Sequence, residues 1–169
     1  MPSSGYGPTM REESGSGDAS GGWHLAQFNI ARMRFPIDSA EMAEFVAGLD
    51  PINSLGERSP GFVWRHVDDS GASIDTRVFG DEDLLINLTV WKSVEALWDY
   101  AYRTAHTDFL RRRRDWFEPV SSHPSNVLWW IPAGSIPTLE EATGRLERLR
   151  DHGPGVEAFT FGDRFDPPL

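Results

Sequence analysis

What most constrains this chain is the order of four short runs rich in apolar, β-branched and aromatic residues. They are "WHLAQFNIARM" from Trp23, "GFVWRHV" from Gly61, "LLINLTVW" from Leu84 and "NVLWWIP" from Asn126. Their patterning and their bounding Gly, Pro and acidic residues read as strands. Helical patterns fill the intervals after the first and third runs. Asp38 or Ser39 can cap a helix through "AEMAEFVAGL", with Pro51 limiting it or starting a second. Ser93 opens the longest helix, expected to reach about Phe117 before Pro119 ends it. The order strand, helix, strand, strand, helix, strand predicts an α+β fold of the ferredoxin-like βαββαβ kind. A further helix from Thr138 to about Arg150 and a short strand in "EAFTF" are expected as C-terminal additions.

Residues 1–22, dense in Gly and Ser and without apolar periodicity, read as a disordered tail. Residues 23–162 then form one domain and 163–169 a C-terminal tail. Seven tryptophans and a 39% hydrophobic share are enough for a core. A formal charge of -10 works against nucleic acid unless a strong local basic patch exists. The absence of cysteine removes disulfides, thiolate metal sites and a thiol nucleophile. His24, His66, His106, His123 and His152 show no helical metal-ligand spacing, and no GxSxG elbow is present. Lys92 lies at a strand-to-helix junction, where Schiff-base chemistry is not expected. No apolar run approaches the roughly 18 residues that span a bilayer, and the first residues lack a signal peptide's apolar segment. The expected location is cytoplasmic.

Within the longest helix lies "HTDFLRRRRDWFEP", which puts four arginines in a row into an acidic chain. A helix turns about 100° per residue, so the four cannot share a face. On an unbroken helix from Ser93 the apolar stripe holds Val94, Leu97, Trp98, Ala101, Ala105, Phe109 and Trp116. Arg111 and Arg114 then face solvent. Arg112 falls inside the stripe four residues after Asp108, at ion-pair spacing. Arg113 lies at the edge with Tyr102 and His106. That row is either a hydrogen-bonded boundary of the core or the rim of a pocket for a planar, partly anionic molecule. Arg suits a carboxylate or phenolate, and His moves protons near neutral pH. On the strands, Asn87, Thr89 and Trp91 share one face, as do Gln27 and Asn29. A βαββαβ sheet pairs its first and third strands. The two polar rows then meet, either to satisfy one another or to bind a ligand.

The segment "NLTVWKSVEAL", Asn87 to Leu97, with His106 beyond it, resembles the strand-to-helix segment of the antibiotic-biosynthesis monooxygenases of the dimeric α/β-barrel superfamily. The stretch from about Trp23 to Phe161, with "RRRRDWF", "LWWIPAG" and "LERLRDHGP", is more closely similar to an uncharacterised bacterial family of that superfamily. The resemblance implies a homodimer in which two ferredoxin-like sheets pack into a barrel. A sheet face left bare in one chain supplies the physical reason for pairing. It implies a cofactor-independent enzyme of bacterial secondary metabolism, monooxygenase-like, acting on a hydrophobic aromatic or polyketide-like molecule. Cyclisation or isomerisation in the same pocket, and non-catalytic binding, are the alternatives. Asn87 and Trp91 match the family's Asn and Trp, and one of Arg111 to Arg114 its Arg. The family's early helical Tyr is replaced by Leu97 and Trp98. The expected roles are acid/base for His106, oxyanion binding for Arg113 or Arg112 with Asn87, and stacking for Trp91 and Trp98. Tyr102, Gln27 and Asn29 complete the expected substrate surface, between the third strand and the long helix. No metal is expected. Haem on His106 is the minority cofactor reading.

Overall fold

The computed structural model describes residues 22–119 and 121–169; of the expected N-terminal tail, all but Gly22 lies outside the described residues. Its centre is a four-stranded antiparallel sheet in the order β2-β3-β1-β4, built from β1 (Trp23–Arg32), β2 (Phe62–Arg65), β3 (Leu84–Trp91) and β4 (Asn126–Pro132). That order is the ferredoxin-like one. The expected pairing of first and third strands is present, with Gln27 opposite Thr89 and Asn29 opposite Asn87.

One sheet face carries Leu25, Gln27, Asn29 and Ala31 of β1, and the other Ala26, Phe28 and Ile30. The first is roofed by α1 (Ala43–Glu57), α2 (Val94–Arg103), α3 (His106–Arg111) and α4 (Arg113–Trp116). Gly48 of α1 sits directly over Phe109 of α3. A Cβ there would lie 1.9 Å from the ring, so glycine is what allows this approach. Ser39 precedes a short turn of 3-10 helix, Ala40–Met42, and α1 continues through Pro51, where an end or a restart was expected. Pro51 is on the exposed side, and the partly buried Ile52 and Leu55 carry the helix past it despite the lost backbone donor.

The unbroken helix expected from Ser93 to Phe117 is three helices. Ser93 does cap the first, accepting from the Ala96 N–H at 3.1 Å. Thr104 then turns extended and its hydroxyl donates back to the Tyr100 carbonyl at 2.5 Å, which closes α2. The same oxygen accepts from the backbone N–H of His106 at 3.2 Å, which starts α3 on a new phase. The "EAFTF" strand reduces to single bridges, Leu128 with Phe159 and Gly155 with Ala158. Gly153 with a φ of 75° has already turned the chain out of α5 (Leu139–His152), leaving only a short return to the β4 edge.

The second sheet face is not bare. Ala142, Leu146 and Leu149 of α5 pack on Ala26, Phe28, Val127 and Trp129, while Val78 and partly buried Trp64 extend the cover toward β3. Phe28, Val90, Val127 and Trp129 have 0% exposure within one chain. The covering expected from a second chain is supplied by α5 and the β2–β3 loop. Asp68 organises that loop. Burial acts to raise its pKa, but hydrogen bonds from Ser70, Thr76 and the Asp75 N–H hold it down to about 2. No helix among the described residues is long and apolar enough to cross a membrane.

Leu146 is fully buried between α5 and the sheet. Leu146→Ala should therefore cost about 2–5 kcal/mol, as buried leucine truncations do, measured by urea denaturation. A loss under about 0.5 kcal/mol, the size expected of a surface site, would mean that α5 does not cover the face.

Candidate functional site

Between the first sheet face and the helical roof lies a cavity of about 500 Å³. Its floor is the polar row Gln27, Asn29, Asn87, Thr89 and Asn126. Its roof is apolar and aromatic, with Phe45, Leu49 and Ile52 from α1, Leu97 and Tyr100 from α2, and Phe109 from α3. Tyr102 and Phe161 also line it, and Tyr102 is 46% exposed, which places it at the rim. A mostly apolar cleft with a few convergent polar groups has the make-up of a small-molecule site.

The floor is internally bonded. Gln27 donates to Asn29 Oδ1 at 2.8 Å and to Asn126 Oδ1 at 3.0 Å. Its own oxygen accepts from Thr89 at 2.9 Å and from Asn87 at 3.3 Å. Trp91 donates its indole N–H to the Thr89 hydroxyl at 2.9 Å. Trp91 itself is fully buried behind Tyr100, whose ring stacks on it with centroids 5.1 Å apart. It therefore supports the wall and does not line the cavity.

Tyr100 packs in turn against His106 in a tilted contact, centroids 4.7 Å apart, and donates its hydroxyl to the Ile52 carbonyl at 3.1 Å. Burial pushes the Tyr100 hydroxyl up to about 12, so it stays a neutral donor. His106 Nδ1 lies 3.1 Å from the Ala101 carbonyl. A carbonyl only accepts, so Nδ1 carries the proton and Nε2 keeps its lone pair. Burial lowers the pKa of His106, the backbone bond opposing it in part. The neutral base is the resting form.

The four arginines separate sharply. Arg111 pairs with Asp108 at 3.6 Å on the surface. Arg112 is not in the core and does not pair with Asp108: it reaches Glu44 at 2.6 Å and Asp115 at 3.1 Å, half-exposed over the Trp116 ring. The restart at Thr104 rotates the later turns, which is why the phase counted from Ser93 misplaced it. Arg114 is exposed. Arg113 alone enters the cavity wall, with its guanidinium 5.6 Å from the Phe117 centroid. Its Nε is buried without a hydrogen-bond partner among the described residues, and burial lowers its pKa. No Asp, Glu or Lys is among the described residues that line the cavity.

The structure thus brings together Gln27, Asn29, Asn87, Tyr102, His106 and Arg113 at one cavity. It leaves out Trp91, Arg112 and Trp98, the last packed with Tyr102, Phe161 and Arg164. Tyr100, Asn53 and Asn126 are among the lining residues that sequence reasoning missed. Asn126 opens a strand whose face only the register against β1 defines. The hydroxyls of Thr104 and Thr107 flanking His106 were the available signal for the helix break. No group of three His, Asp or Glu among the described residues is placed to hold a metal ion.

Fold and site define a ferredoxin-like α+β protein with a solvent-open cavity between its sheet and its helices. The chain belongs to the family described as a domain of unknown function, DUF3291, whose model matches residues 24–169. No curated protein matches it. Among solved structures it is similar to SnoaB, a cofactor-independent oxygenase from Streptomyces nogalater, at 16% identity over 69% of this chain and 96% of that one, TM-score 0.43. It is similar to a conserved protein from Methanosarcina mazei at 10% identity, 67% and 95% coverage and TM-score 0.47. Rv0793 from Mycobacterium tuberculosis matches at 12% identity, 68% and 99% coverage and TM-score 0.42.

Arg111→Ala, Arg112→Ala and Arg114→Ala should each change stability by less than about 1 kcal/mol, the first two as exposed ion pairs and the last as an ordinary surface site. Thermal denaturation of the three variants checks the phase; a much larger loss at Arg112 would place it back in the core.

Proposed function

We propose that the cavity binds a small, largely aromatic molecule bearing an acidic oxygen and that His106 converts it by acid–base chemistry without a cofactor. The observation that carries this reading is Arg113. A cation held in an apolar wall without a carboxylate is costly unless a ligand supplies the charge. Nε2 of neutral His106 would take a proton from an acidic O–H or from C–H beside a carbonyl. Arg113 would balance the resulting anion and the free N–H of Asn87 would donate to it. Cyclisation, isomerisation or reaction of the anion with dioxygen would follow from the same deprotonated state, and the resemblance to the cofactor-free monooxygenases favours the last. Tyr100 and Phe109 would hold the ring system. Trp91, Trp98 and Arg112 drop out of direct contact with the substrate.

A haem on His106 does not fit this donor set: its two carboxylates would meet one cation, Arg113, among the described lining residues. Homodimerisation belongs to the same reading, through a surface other than the sheet face that α5 covers.

Arg113→Met keeps the apolar stem and removes the orphaned charge. It should leave the fold at least as stable while weakening binding of 2-naphthoate, but not of neutral 2-naphthamide, by tenfold or more in calorimetric titrations. Equal naphthoate affinity in the two proteins would overturn the assignment.

The lowered pKa of His106 also fixes the sign of a pH dependence. The unfolded chain takes up the proton first, so this contribution to stability is present above about pH 6.5 and is lost as pH falls below it. His106→Gln should flatten that limb of the stability profile. Turnover should fall with acid along a limb centred below the ordinary histidine value; a limb centred above it would exclude His106 as the base.

A further inference from the structure

The floor of the cavity has a direction, and its origin is Trp91. An indole N–H donates and never accepts, so the Thr89 hydroxyl that receives it must send its own proton onward. Among the described residues the only side-chain acceptor bonded to it is Gln27 Oε1 at 2.9 Å. That fixes which end of the Gln27 amide is oxygen. Its Nε2 then spends both hydrogens, on Asn29 Oδ1 and Asn126 Oδ1. Asn29 and Asn126 face each other across β1 and β4 in register, and both line the cavity. With their oxygens turned to Gln27, both amides present their NH₂ groups away from it. No side-chain acceptor among the described residues takes those donors.

We propose that Asn29 and Asn126 form a two-donor subsite for a carbonyl oxygen of the ligand, with Thr89 and Trp91 as positioning residues that hold the amides donor-outward. The inference rests on the cavity being the ligand site and narrows the ligand class to aromatic carbonyl compounds, acceptor-rich and donor-poor, in addition to the acidic group at Arg113. An amide pair free to flip would accept an N–H as readily as it donates. The chain from Trp91 removes that freedom, so a ligand donor placed here would meet two N–H groups and be rejected. Sites built to hydrogen-bond one group discriminate strongly, because a mismatch leaves buried polar groups unpaired.

The test uses three neutral tricycles of one shape: 9-fluorenone, which accepts, carbazole, which donates, and fluorene, which does neither. Binding is followed by quenching of tryptophan fluorescence in the full-length protein. Wild type should bind fluorenone at least tenfold tighter than either analogue. Asn126→Asp is nearly isosteric and still accepts from Gln27, but replaces the outward NH₂ by an acceptor oxygen. It should invert the order, with carbazole now preferred over fluorenone. Thr89→Val should erase the wild-type preference and Thr89→Ser restore it, a pattern that a purely structural hydroxyl would not produce. Equal affinities of wild type for the three tricycles would overturn the subsite while leaving the cavity reading intact. An unchanged preference for fluorenone in both Asn126→Asp and Asn29→Asp would do the same. Failure of all three to bind folded wild type would remove the ligand-site reading and this inference with it.

Discussion

The antiparallel register of β1 against β3 places Gln27 beside Thr89 and Asn87, and the register of β1 against β4 brings in Asn126. Gln27 and Thr89 are almost fully buried, at 5% and 7% exposure. Polar groups at that depth are tolerated only when bonded, and here each is. A shift of one residue in either pairing would send these side chains to the α5 face, into the apolar cluster of Phe28, Val90 and Trp129. The network and the register therefore fix each other. The cavity exists because this row is too polar to be packed by the helical roof and too well bonded to be expelled.

Above that floor, the break at Thr104 decides the electrostatics. An unbroken helix would have offered the arginines to solvent and core in a regular rotation. The restart instead gives Arg111 and Arg112 to surface ion pairs, leaves Arg114 exposed, and puts Arg113 in the wall with no counter-charge among the described residues. The same break commits the Nδ1 proton of His106 to the carbonyl of Ala101 and leaves Nε2 as a base. A local defect in one helix thus creates both charged-group features of the candidate site, at some cost to stability, which is common where function is placed.

The C-terminal helix changes what a single chain can be. In a bare βαββαβ unit one sheet face must find a partner to stay out of water. Here Ala142, Leu146 and Leu149 close that face from within, and the β2–β3 loop, tied by Asp68, finishes the cover. The sheet is a middle layer between two helical ones, and its polar face lines the cavity.

Element order and face composition were legible in the residues themselves, because strand alternation and helix capping are local properties of backbone and side chain. The strand sequence alone specified a ferredoxin-like sheet, the pairing of Gln27 and Asn29 with Asn87 and Thr89, and the nearness of His106 and Arg113 to that row. Phase beyond residue 103 was not legible, since it hinges on one hydroxyl choosing the Tyr100 carbonyl over solvent. The role of Trp91 was not legible either: periodicity put it on the cavity face, but only packing placed Tyr100 in front of it. Nor could the sequence show that α5 would fold back over the second face, because an amphipathic helix fits an intramolecular sheet and a partner's surface equally well. Local periodicity determines which residues share a face. What covers each face, and which polar groups stay unpaired there, is decided only when distant elements compete for the same apolar area and the same hydrogen bonds.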